Sequence, residues 1–449
     1  MKNSDKSCIE SSAEGSYRYP GSGPFNDTEA DRCLFFGRYK DTQLLLNKTL
    51  NWGLVVLYAK SGLGKTSLIN ACLCQELRDR GYVPVIVRMN NPDAEPMENF
   101  LQGIKDFAAK KHLDYEHGEE GSLWQFFRTT YFWESVDNRL TPVLILDQFE
   151  EFFISYSREK RKTFIQNLAD LVNNTVPEKL QASIPPGQKL PYNLDTPGIK
   201  IIISIREDFL GQLEEMSRYI PSILSDRFRL MPLTREQARE AIIKPAQVRH
   251  EAIHAAPFNF TEEAVDIMLD FLCKQKEKYE FSKTDEVEPF QLQILCRYME
   301  DKSREKFKKK EGDDGVVIGK EDLGGQKDMQ KILQQFYEDQ LLELNSYAKK
   351  KRARRLFEKG LISVYDRRLS LEEGEIKRKY KVSEGLLKEL ADIRLLRSEP
   401  RVGSLYYELS HDTLVAPIRE SQKKRKSVNT IINWIIILFV VVLGAVLYQ

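Results

Sequence analysis

The chain has 449 residues, of which 41% are hydrophobic and 30% charged, so it can bury real cores and is not disordered as a whole. Lysine and arginine total 68 against 67 acidic residues, a net charge of +1, which speaks against a chain built around nucleic-acid binding; no specific nucleic-acid partner is expected. The six cysteines are scattered with no CxxC pair, which excludes a disulfide scaffold or a cysteine-rich zinc module on spacing.

Residues 1–32 read as a lead-in. Met1–Ser16 are polar with no apolar run, so no secretion signal is expected. Residues 17–32, YRYPGSGPFNDTEADR, are rich in Pro, Gly and Asp and predict an extended segment. From 33 to 232 short apolar runs at Leu54–Tyr58, Val83–Arg88, Val143–Leu146 and Ile201–Ile205 alternate with helix-like segments. That alternation predicts an α/β domain with a doubly wound parallel sheet.

The first run feeds directly into AKSGLGKT at 59–66, followed by the helical SLINACLCQEL. A strand, a glycine-containing turn ending in Gly-Lys-Thr and a helix form the phosphate-binding P-loop pattern. Backbone N–H groups from Ser61 through Gly62, Leu63, Gly64 and Lys65 can close around phosphate oxygens, and the helix start adds Thr66 and Ser67. Lys65 would place its charge on the β- and γ-phosphates, and Thr66 would ligate Mg²⁺. Ala59 stands where the pattern has its first glycine.

The third run ends in VLILDQFEE, with Asp147 at the carboxyl end of a buried strand, where open α/β sheets bind ligands. Asp147 is the expected second Mg²⁺ residue. Glu150 is the expected activator of the attacking water, with Glu151 as its rival. The fourth run ends in Arg206, within reach of a γ-phosphate or of Glu207 and Asp208. Residues 180–199, with four prolines and two glycines, predict a loop.

At 233–300 the pattern turns helical, opened by a capping box of Thr234 and Gln237. Within it, His250-Glu-Ala-Ile-His254 matches a zinc motif formally, but no third ligand follows and prolines bracket it. Residues 301–326 are charged and glycine-containing and read as a linker. Residues 327–420 carry helices, one at about Ser383–Asp392, and two strand candidates, a winged-helix pattern. KKKRARR at 349–355 could bind nucleic acid or anionic lipid or be a solvated face. A basic juxtamembrane segment, 421–430, precedes Ile431–Tyr448, which are apolar apart from Asn433. As a helix these span about 27 Å, close to the roughly 30 Å of a bilayer core. A single C-terminal transmembrane helix is expected, with the preceding domains cytoplasmic because Lys423–Lys426 flank it.

Together YPGSGPF, LFFGR, the P-loop, LILDQFEEFF, IIISIREDF, RFRLMPLTREQAREAIIKPA, EPFQLQILCRYM and YELSHDTLV resemble the STAND ATPases, in particular the novel-STAND group, over residues 17–420. The resemblance implies an ATP/ADP-controlled switch with a helical lid and a winged-helix domain, self-associating when ATP-bound. It implies that Phe36 and Arg38 lie near the adenine and that Pro289 packs on the base from the lid. Arg206 would sense the γ-phosphate, and His411 would touch the ADP β-phosphate. Arg227 resembles the arginine finger of related AAA+ proteins. Relatives often carry repeat arrays as sensors; here the winged helix leads straight to the apolar segment, so the trigger acts on these domains or arrives through a protein partner. A role in bacterial stress signalling or phage defence is what membership implies. A membrane-anchored AAA+-like remodelling ATPase and a nucleotide-gated pore or scaffold are the alternatives.

Overall fold

The computed structural model describes residues 17–427, except 90, 92–93, 112–113, 117–120, 136–137, 186, 196–197, 278–284, 310–314, 394, 402–403 and 411–413. It divides into two units, one ending at Leu323 and the other beginning at Gly324. His411 and the Ile431–Tyr448 segment lie outside the described residues. Among those described, no helix is long and apolar enough to cross a membrane.

The first unit is built on five parallel strands: β1 (Leu54–Ala59), β2 (Tyr82–Val87), β3 (Asn138–Leu146), β4 (Lys200–Arg206) and β5 (Arg227–Arg229). Their spatial order is β2-β3-β4-β1-β5. All four strands read from the sequence are present, because a strand buried on both faces reads as a continuous apolar run. Val56, Val85, Leu144 and Ile203 pack on one face with Phe152 and Phe164. Val55, Leu57, Ile145 and Ile202 pack on the other with Leu68, Ile69 and Leu73 of the helical run after the P-loop. The fifth strand, Arg-Phe-Arg, buries only Phe228 and carries no apolar run to announce it. An antiparallel pair, Asp114–Glu116 with Tyr131–Ser135, extends the sheet beyond the amino-terminal half of β3.

The 17–32 segment is not the extended lead-in its composition predicts. It is a strap built into the unit. The backbone N–H groups of Arg18 and Tyr19 donate to the buried carboxylate of Glu300, and the Tyr19 hydroxyl donates to the Ile242 carbonyl. The Arg18 guanidinium donates to the carbonyls of Pro245, Val248, Ala255 and Ala256. Further along, the Phe25 N–H donates to Ser67 Oγ and Asp27 pairs with Arg78. One short stretch therefore grips both the lid and the helix that follows the P-loop.

The lid opens with the expected capping box on helix Arg235–Gln247. It also contains helices Glu262–Glu277 and Pro289–Lys309. The 301–326 stretch is not a linker: helix Pro289–Lys309 runs through its first third, and Val316–Ile318 then pairs with Phe258–Phe260. Lysines and glutamates on the outer helix face gave this stretch its linker-like composition, while Ser303, Val316 and Ile318 are buried.

The second unit has helices Gln326–Leu342, Tyr347–Lys359 and Glu384–Asp392 and a three-stranded sheet. Leu371–Glu372 lies at one edge, Ser404–Leu409 in the centre and Leu396–Arg401 at the other edge. Its core is formed by Tyr337, Leu356, Phe357, Leu387, Leu390 and Leu409, among others.

Candidate functional site

Strand order creates the site. Because β4 lies between β1 and β3, the carboxyl ends of the three strands present the P-loop, Arg206 and Asp147 side by side. In the P-loop, Gly62 and Gly64 have φ of 80° and 91°, values that a side chain disfavours. The backbone turns left-handed at Gly64 and enters the helix at Lys65. Ala59 is still part of β1, paired with Arg206, and its φ is not positive. That is why alanine serves where the motif has glycine.

Asp147 is 2% exposed and is surrounded by donors. Thr66 Oγ1 donates to Oδ2 at 3.1 Å, Ser204 Oγ to Oδ1 at 2.9 Å and Arg88 Nη2 to Oδ2 at 3.2 Å. The Thr66–Asp147 pair is the arrangement a P-loop Mg²⁺ site needs, one ligand from the loop and one carboxylate opposite. The residues present fit such an ion. Arg88, at the end of β2, and Ser204, in the middle of β4, were not read from the sequence. Ser204 lies within the IIISIREDF stretch, which was read only for its Arg206, and Arg88 stands in no motif; only the strand order brings them to Asp147.

Lys65 is half-buried, with its Nζ 3.4 Å from the Ala59 carbonyl. Burial lowers its ammonium from the ordinary 10.5, against the pull of Glu150 and Asp147. Glu150 is buried beside it and accepts the Arg206 backbone N–H at 3.2 Å. Burial raises the Glu150 carboxyl above 4.5, and the nearby Lys65 charge opposes this. Glu151 instead has Tyr156 among its electrostatic neighbours. The turn carrying these groups is rigid. Gln148 takes a left-handed φ of 56°, Phe149 N–H donates to the Ser204 carbonyl, and Phe149 stacks on Phe152. The Arg206 guanidinium pairs with Asp208, at 2.6 Å, and Glu207 pairs with Arg229.

The Phe36-Gly37-Arg38 turn packs between lid and loop. Gly37 has φ 84°, and a Cβ there would sit 2.4 Å from the Gln237 carbonyl, so only glycine fits. Arg38 is 4% exposed; its guanidinium donates to Asp41, the Met231 carbonyl and the Leu63 carbonyl. Arg38 thus braces the P-loop at Leu63. The ring of Phe36 lies beneath Lys244 of the lid. Pro289 begins its helix just after Glu286–Val287, which pair with Leu233–Thr234. The side chain of Ser67 is occupied by the strap. Arg227 is exposed and pairs across from Val56, short of the phosphate end of β1. The 250–254 segment is a turn, not a helix, so its two histidines do not share a helical face. Among the described residues no group of three or more His, Cys, Asp or Glu could hold a metal.

A P-loop, an acidic strand end opposite it and an intervening strand ending in arginine define the nucleotide site of a P-loop nucleoside-triphosphatase. The sequence profile described as Novel STAND NTPase 1 matches residues 19–278, more than half of the chain, and the protein belongs to that family. The match takes in the strap, the sheet and the first part of the lid. No curated protein matches. Among solved structures, the Walker-type ATPase PABY2304 of Pyrococcus abyssi is similar at 15% identity, with 88% of this chain and 98% of that chain covered and a TM-score of 0.39. The Aeropyrum pernix ORC2 protein in its ADP form is similar at 14% identity, with 86% and 95% covered and a TM-score of 0.40. Cdc6p from Pyrobaculum aerophilum is similar at 14% identity, with 86% and 94% covered and a TM-score of 0.39. At these TM-scores the likenesses add nothing to the geometry above.

Proposed function

We propose that the protein is an ATP/ADP-controlled oligomerisation switch that hydrolyses ATP slowly and is held to a membrane by Ile431–Tyr448. The observation that carries the nucleotide part is the convergence of Lys65, Thr66, Asp147, Glu150 and Arg206 at the ends of three adjacent strands. In this reading the N–H groups of 61–67 and Lys65 hold the phosphates. Thr66 and Asp147 would hold Mg²⁺, which would supply positive charge against the phosphates. Glu150 accepts a proton from the water that attacks the γ-phosphorus while the bond to the bridging oxygen breaks, releasing ADP and phosphate. Arg206 leaves Asp208 to meet the γ-phosphate, which would distinguish ATP from ADP. The Phe36 turn and Pro289 form the base side of the site. His411, by the family likeness, would recognise ADP.

A switch requires the two nucleotides to bind the two states with different affinity. Arg206, paired with a half-exposed aspartate, is the group able to supply that difference. The second unit is read as a winged helix, from its helices and its sheet with the first strand beside the last. Membrane attachment rests on the 18-residue run, apolar apart from Asn433, and the basic run before it. A role in bacterial signalling or phage defence rests on family membership alone.

Two measurements test the reading. Lys65→Ala removes charge-assisted contacts of about 1.5–3 kcal/mol and should weaken ATP binding about 10- to 100-fold. Unchanged affinity overturns the nucleotide site. Light scattering of Glu150→Gln in detergent should show a larger particle with ATP than with ADP; equal sizes remove the switch. Fast, substrate-stimulated turnover would favour a remodelling ATPase instead.

A further inference from the structure

We propose that the second unit docks on an anionic bilayer surface, through the outer face of helix Tyr347–Lys359 and the neighbouring Val364–Tyr365 tip. The inference rests on the membrane-attached reading above and names the lipid chemistry and the surface that meets it.

The helix carries seven basic residues, and the structure sorts six of them, the seventh, Lys350, being half-buried. Lys349 pairs with Glu389 and Arg354 with Glu338, so these two serve the fold. Ala353, Leu356 and Phe357 are buried in the core of the unit. Lys351, Arg352, Arg355 and Lys359 are exposed, and none of the four forms an ion pair among the described residues. At 3.6 residues per turn they fall within about 100° of the helix circumference. A merely solvated face usually intersperses both signs of charge; this arc carries four like charges and no acidic residue.

Beside it, the loop after the helix exposes Val364 at 87% and Tyr365 at 84%. An apolar pair at the tip of a turn, next to unpaired cations, suits the boundary between headgroups and acyl chains. The loop is held in place: Arg419 donates to the Glu358 and Ser363 carbonyls and to Asp366. Arg425 pairs with both Glu338 and Glu358. Arg419 and Arg425 belong to helix 415–427, which leads into the apolar segment at 431. The basic helix, the apolar tip and helix 415–427, which precedes the apolar segment in sequence, are thus fastened together within one unit. That adjacency favours lipid over nucleic acid, which could stack a base on Tyr365 but would make no use of Val364 beside it.

The test uses the full chain reconstituted into phosphatidylcholine vesicles, with and without a quarter of phosphatidylglycerol. Hydrogen exchange of residues 347–368 is the readout. Exchange of helix Glu384–Asp392 reports folding. Protection should appear with the anionic lipid, fade at high salt and be absent from neutral vesicles. It should also be lost in the variant Lys351→Glu, Arg352→Glu, Arg355→Glu, Lys359→Glu, whose changes touch only exposed positions. Equal protection on both lipids, or protection by an oligonucleotide in place of anionic vesicles, overturns the proposal. Flotation on neutral vesicles after an alkaline carbonate wash reports the anchor separately. If flotation fails, the docking face is judged by salt-sensitive binding to anionic vesicles. At low salt each cation contributes roughly a fivefold factor, so the four-fold reversal should weaken that binding by on the order of 100-fold or more. No such loss would sink it.

Discussion

At Asp147, one carboxylate accepts from a threonine, a serine and an arginine on three different elements. This makes its position depend on β2 and β4 as well as on its own strand. Replacing Ser204 with alanine leaves Oδ1 short of a buried partner, which costs about 1–3 kcal/mol. The expected outcome is a lower melting temperature and weaker Mg²⁺ dependence of nucleotide binding, both readable by thermal shift with and without the metal. Glu150 and Lys65 set the pH response. The raised Glu150 carboxyl accepts a proton only once ionised, so turnover should fall as pH drops, through an acid limb lying above 4.5. The lowered Lys65 ammonium should bring the alkaline limb below 10.5. A pH profile of kcat/KM, which reports the nucleotide-free protein, checks both, and Glu150→Gln should abolish the acid limb along with most of the rate.

Among elements, the P-loop, β1, β3 and β4 were legible because each couples a fully buried apolar run to a chemically distinctive end. Lys65, Thr66, Asp147 and Arg206 all stand at such ends. Ser204 and Arg88 were not legible: a serine inside IIISI and an arginine closing YVPVIV acquire a role only through which strand lies beside which. The strap and the last part of the lid were misread for a related reason. Proline, glycine and charge signal irregular or solvated chain, yet Arg18 and Tyr19 are buried by partners more than two hundred residues away. The Phe36-Gly37-Arg38 turn shows the same dependence on distant packing. Gly37→Ala must both strain a left-handed backbone and displace the Gln237 carbonyl, costing about 1–3 kcal/mol. A melting temperature lowered by several degrees is expected, and an unchanged one would mean the lid helix yields freely.

On the scale of the molecule, Glu300 joins lid to strap. Burial raises its carboxyl, while the N–H groups of Arg18 and Tyr19 and the side chain of Arg304 pull it back. In Glu300→Ala those donors lose their acceptor, and the loss should reach about 3 kcal/mol for so buried a charge. Hydrogen exchange should then accelerate at residues 18–19 and along helix Pro289–Lys309. Unaltered exchange there would show that the carboxylate bears no part of the attachment.

The same strap limits how far a lid can travel. Tyr19 is fastened to the lid and Phe25 to Ser67, with five residues, and so six Cα-to-Cα steps, of chain between them. Fully drawn out, six such steps reach roughly 20 Å. At present Gly23 N–H closes a turn on the Pro20 carbonyl, which stores part of that length as slack. While both fastenings hold, opening is a leashed excursion: it first unwinds the turn and then goes taut, pulling on the helix beside the phosphate loop.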